Sequence, residues 1–119
     1  MIKKIGLLCL GALLSFNVFA KYVTPLDGAG VEITRYFTHG SGAITLYISG
    51  EVLNLDNCAK TYRVFIPHTA AGKDNLAAAA LMAFASGKKI GLHASGCSTT
   101  QFWGGTEEVP IINNLWVFN

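Results

Sequence analysis

From residue 31 onward the chain alternates apolar and polar positions with a period of two. VEITRYFTH (31–39) places Val31, Ile33 and Phe37 on one face and Glu32, Thr34 and Thr38 on the other, with Arg35 interrupting the apolar face. His39-Gly40-Ser41-Gly42 predicts a turn, and AITLYIS (43–49) then alternates Ile44, Leu46 and Ile48 against Thr45, Tyr47 and Ser49. Two such runs around a short glycine turn predict an antiparallel hairpin. Ser49-Gly50 marks a bend, VLNL (52–55) prolongs the apolar pattern, and Asp56-Asn57 is a second turn. KTYRVFIP (60–67) predicts a third strand with Tyr62, Val64 and Ile66 on one face, ended by Pro67, which has no N–H for a ladder.

The period then lengthens. Leu76, Ala80 and Phe84 form one row at helical spacing and Ala77, Leu81 and Ala85 the row beside it, predicting a helix that is apolar nearly all round. Asp74 is the expected N-cap, Gly87 the expected left-handed stop, and Lys88 and Lys89 lie beside the negative end of the helix dipole. A helix apolar on so many sides either touches more than one neighbour, another subunit included, or simply reflects the helix propensity of alanine. IGLHA (90–94) returns to the strand period with Ile90, Leu92 and Ala94 inward. Residues 98–109 read as a loop, and IINNLWVF (111–118) as a last strand with apolar residues on both faces.

The first twenty residues stand outside this pattern. Lys3 and Lys4 precede an apolar run from Ile5 to Leu14, and Val18-Phe19-Ala20 ends in a small residue, as in a secretory signal peptide cut after Ala20. A membrane anchor is the competing reading, but Ser15 and Asn17 end the run short of the ~20 residues a span requires. The expectation is a signal over 1–20, one domain over 21–119, no membrane span after cleavage, and a secreted or periplasmic location. The full chain carries nine Lys and Arg against seven Asp and Glu; losing Lys3 and Lys4 leaves seven of each. A neutral mature domain has no electrostatic reason to bind nucleic acid. Export also makes a disulfide between Cys58 and Cys97 the default expectation, whereas a reactive dithiol would call for a shorter spacing such as CxxC.

Candidate chemistry is sparse. His39, His68 and His93 share no metal-ligand spacing, so neither a metal nor another cofactor is expected. No G-x-S-x-G elbow surrounds Ser41 or Ser98, and the adjacent Glu107 and Glu108 point apart in extended chain. The expectation is a protein that is not an enzyme. Phe102 and Trp103, followed by Gly104-Gly105, are the candidate ligand-binding residues: an exposed aromatic pair can stack on a sugar or anchor a partner, or else fold back to cap the core.

The order strand, strand, strand, helix, strand, strand suggests a mainly β fold with one helix: a small five-stranded Greek-key barrel of the OB type, carrying one disulfide. LAAAALMAFASGKKIGLHASGC, followed by VPIINNLWVF, resembles the C-terminal half of subtilase cytotoxin B-subunit-like proteins. The matching positions are Leu76 to Ser86, Gly87, Lys88 to His93, and Val109-Pro110 to Phe118, about half of the mature chain. The resemblance implies OB-fold subunits assembled as a homo-pentamer, helices towards the centre, that bind cell-surface glycan and can carry a toxic A subunit. TPLDGAG (24–30) does not reproduce the glycan-contacting segment of those subunits, so no such residue is carried over. The alternative expectation is a monomeric periplasmic or surface module that binds a protein partner and no sugar.

Overall fold

The computed structural model describes residues 21–24, 29–98 and 108–119. Within them lie β1 (Lys21–Tyr22), β2 (Val31–Thr38), β3 (Ile44–Ile48), β4 (Arg63–Ile66), α1 (Lys73–Ser86), β5 (Lys89–Cys97) and β6 (Pro110–Val117). β2 pairs antiparallel with β3, β3 with β4, and β5 with both β2 and β6. β4 meets β6 in parallel at Phe65 and Ile111. The five longer strands therefore close into a ring in the order β5-β2-β3-β4-β6, and β1 adds a short antiparallel piece along β5. This is the small mainly β barrel that the order of elements suggested, with its helix between β4 and β5.

The barrel interior holds Val31, Ile33, Ile44, Leu46, Ile48, Val64, Ile66, Ile90, Leu92, Ala94 and Ile112. Two irregularities decide which residues reach it. Ile33 is opposite Ile48 but Arg35 is opposite Tyr47, so β2 carries one extra residue at Thr34. With a side-chain period of two, one extra residue exchanges the faces of everything after it. Tyr36 consequently packs against the core, while Phe37, expected inside, lies on the outer surface beside His39. The same bulge turns Arg35 outward, which resolves its misfit on the apolar face. In β6 the register shifts again between the pairs His93–Asn114 and Ala94–Ile112. Ile112 thus points inward at an even position, and Leu115 and Val117 pack on the core at odd ones. The apolar residues at both parities of this strand are partly one inward set interrupted by a bulge.

The third strand is shorter than the pattern suggests, running over Arg63–Ile66. Residues 60–62 run beside the bend after β3, where Ile48 N–H donates to Tyr62 O and Val52 N–H to Thr61 O. Tyr62, expected to share a face with the buried Val64 and Ile66, is exposed.

α1 lies against β2, β4, β5 and β6 and closes one end of the barrel. Its packed face is Leu76, Ala77, Ala80 and Ala83, with Ala80 and Ala83 fully buried. Alanines bring the helix backbone close to the strands, and Tyr36 Oη pins it by donating to Ala77 O at 3.3 Å. The expected stripe was half right: Leu76, Ala77 and Ala80 pack inward, whereas Leu81, Phe84 and Ala85 are exposed. Asp74 is not the N-cap. Gly72 holds that position at φ 69°, no side chain caps the turn, and Asp74 pairs with Lys73 at 3.7 Å inside the first turn. Gly87 stops the helix as expected, at φ 67°, with its N–H and that of Lys88 reaching Phe84 O and Ala83 O.

Cys58 and Cys97 form the expected disulfide, Cα–Cα 5.6 Å, fastening the loop before β4 to the end of β5. Asn54 holds that loop from within, accepting from Cys58 N–H at 2.6 Å and donating to Cys58 O at 2.7 Å. Asp56 Oδ2 accepts from Gly96 N–H at 2.9 Å across the same junction. The signal expected over 1–20 and the aromatic pair Phe102 and Trp103 lie outside the described residues. No helix among the described residues is long and apolar enough to cross a membrane.

Candidate functional site

The outer face of β2, β3 and β4 carries side chains that the core does not need. The ladder puts Arg35, Tyr47 and Arg63 in one row across the three strands. The guanidinium of Arg35 stands 4.8 Å from the Tyr47 ring centroid, and that of Arg63 stands 5.8 Å from it on the neighbouring strand. Arg63 also lies 5.4 Å from the ring of Tyr62 and donates from Nη1 to Tyr47 Oη at 3.3 Å.

The two arginines differ in burial. Arg63 is 5% exposed, held down between two tyrosine rings, whereas Arg35 is exposed. Among the described residues no carboxylate pairs with Arg35; the Tyr47 ring is the group it rests on. Stacking on an aromatic face orients a guanidinium and leaves its edge N–H groups available to an incoming carboxylate. The row is thus a fixed pair of positive charges framed by the half-exposed rings of Tyr47 and Tyr62.

The next row along the strands is apolar. Phe37, Thr45 and Phe65 are register partners, and Ala43, Phe65 and Val109 form a second buried cluster outside the barrel. His39 sits over it, its ring 4.8 Å from Phe37 and 5.7 Å from Phe65, with Nε2 2.7 Å from Thr45 Oγ1. Burial holds its pKa below the ordinary histidine value. A histidine held neutral by the fold opposes unfolding fully above its unfolded-state pKa, around 6.5. That contribution is lost as pH falls from there through the lower folded-state value. The melting temperature is therefore expected to fall as the pH drops below about 6.5. His39→Gln, which can keep a bond to Thr45, should flatten that part of the profile; identical pH slopes for the two proteins would remove His39 as the cause.

Of the sequence-derived candidates, the disulfide pair is joined, while Phe102 and Trp103 lie outside the described residues. The three histidines are dispersed: His39 on the outer apolar cluster, His68 at an open hollow beside the start of α1, and His93 on β5. That hollow is lined by His68, Ala70, Gly72, Lys73, Asp74 and Asn75. Among the described residues no three metal-ligating side chains converge. Tyr47, Tyr62 and Arg63 were legible only as alternating strand residues, and Arg35 only as an interruption; the signal that joined them was the bulge at Thr34. Compared with family models, curated protein sequences and solved structures, this chain finds no match in any of the three.

Proposed function

We propose that this chain is an exported, non-catalytic binding module that takes an acid-bearing glycan on the Arg35–Tyr47–Arg63–Tyr62 face. The observation that carries this reading is the exposed Arg35 guanidinium stacked on Tyr47 with no carboxylate partner among the described residues. Tyrosine rings stack on sugar faces while an arginine fork reads a carboxylate. The disulfide supports residence in an oxidising compartment. The resemblance to subtilase cytotoxin B subunits supports a glycan as the ligand class.

The test is a glycan array probed with the mature chain, beside Arg35→Ala and Tyr47→Ala. Carboxylated glycans should be enriched over their neutral counterparts. Arg35→Ala should lose about ten- to a hundredfold in affinity, the measure of about 1.5–3 kcal/mol for a charge-assisted hydrogen bond. An array with no enriched glycan would sink the reading.

A second reading has its own observation. Ala78, Leu81, Met82 and Ala85 recur at helical spacing on the outward side of α1, and Leu81 and Met82 are half exposed. Such a stripe suits contact with other copies, as in the ring that the resemblance implies, or with a protein partner. Native mass spectrometry separates these: a multimer supports the ring, and a strictly monomeric mass removes it while leaving the glycan face to stand alone.

A further inference from the structure

On the side of the barrel away from β3, four outward side chains of β1, β5 and β6 form a second cluster. Tyr22, His93 and Asn114 are consecutive register partners across these strands, and Trp116 occupies the next row opposite Gly91. Gly91 is what lets the cluster lie flat. A Cβ there would stand 2.1 Å from the Trp116 ring, so the indole lies directly over the β5 backbone and buries Gly91 beneath it. One face of the indole is thereby fixed against the sheet. Tyr22 flanks it at 5.6 Å, tilted 35°, and the edge of His93 meets it at 5.0 Å and 66°. Asn114 Nδ2–H donates to His93 Nδ1 at 3.2 Å, which fixes that ring and leaves its Nε2–H as a donor at the rim.

None of this serves the barrel core, whose inward residues on β5 are Ile90, Leu92 and Ala94. The arrangement is a rigid, partly exposed aromatic floor bordered by an imidazole N–H donor, an exposed carboxamide and a phenol. None of the four side chains is a carboxylate, an ammonium or a guanidinium. We propose that Tyr22, His93, Asn114 and Trp116 form a second binding site, distinct from the Arg35 face, that takes a neutral hexopyranoside. The C–H-bearing face of the sugar lies on Trp116 and Tyr22, while its hydroxyls bond to His93 Nε2–H and the Asn114 amide. A floor already held in place spends little conformational entropy on binding, which suits a weak, monosaccharide-sized ligand.

Titrating the mature chain with methyl β-D-galactopyranoside and methyl β-D-glucopyranoside, followed by the indole N–H resonances of the two tryptophans, tests this. Trp116→Phe identifies which resonance belongs to Trp116. That resonance should shift saturably in the millimolar range with at least one glycoside. His93→Ala, checked for a native melt, should weaken binding by about three- to tenfold, the measure of one lost neutral hydrogen bond. Arg35→Ala should leave the titration unchanged, so failure of the Arg35 reading and failure of this one are told apart. The proposal is overturned if neither glycoside moves the Trp116 resonance, if the Trp103 resonance alone responds, if His93→Ala binds as the parent does, or if Arg35→Ala abolishes the response.

Discussion

Replacing Cys58 and Cys97 together by alanine is expected to cost the fold about 4 kcal/mol. The bridge spans 39 positions, and the loop-closure relation for a loop of that length gives this value from the entropy restored to the unfolded chain. For a domain of this size that corresponds to a melting temperature lower by roughly 15–30 °C. The native junction does not rely on the sulfurs alone. Asn54 still bridges both backbone groups of residue 58, and Asp56 still accepts from Gly96. The variant should therefore keep its far-ultraviolet spectrum at low temperature and lose its margin, since the bridge acts mostly on the unfolded state. Thermal melts of the two proteins, each in the absence of reductant, decide it. A variant melting within a few degrees of the parent would mean that the unfolded chain is already constrained between these positions.

Gly30→Ala is expected to be nearly as damaging, at about 2–4 kcal/mol, for an unrelated reason. Gly30 enters β2 at φ +72°, where an L side chain is strained by roughly 1–2 kcal/mol. The added Cβ would also stand 2.8 Å from Ile90 O and 2.6 Å from the Phe118 ring. The ring can move; the carbonyl belongs to the residue that pairs with Val31 and cannot move without loosening the β2–β5 ladder that helps close the barrel. Combining Gly30→Ala with Phe118→Ala should therefore recover little. Gly87→Ala is the comparison, since its φ is similar and nothing lies within 4 Å of the added Cβ. It should cost only the conformational part, about 1–2 kcal/mol. Chemical denaturation of the three variants reads these differences directly, and equal losses at Gly30 and Gly87 would show that the contact with Ile90 O has no weight.

Strand periodicity located β3 and β5 closely because their inward residues alternate without interruption through the core. It misassigned Phe37 and Arg35 because a β-bulge leaves no mark in a run of alternating residues: Thr34 is an ordinary strand residue, and only the partner strand shows that it is extra. On α1 the all-round apolar character hid which face packs. The face that packs carries Leu76 in the first turn and then Ala77, Ala80 and Ala83, leaving Leu81 outside. Asp74 matched the preference for an acidic cap, but Gly72, in the left-handed region, ends the preceding connection one residue ahead of the helix.

What the amino-acid order determined by itself was local: where strands begin and end near glycine and proline, where the helix stops, and that Cys58 and Cys97 should join. These follow from the allowed dihedral angles and donor groups of single residues and from short periodic patterns. Both candidate binding faces were decided by the tertiary structure alone. Arg35 meets Tyr47 and Arg63, and Trp116 settles over Gly91 beside Tyr22 and His93, through cross-strand neighbours separated along the chain. Which residues become such neighbours is set by register, and register is fixed only when bulges and barrel closure place each strand against its partner.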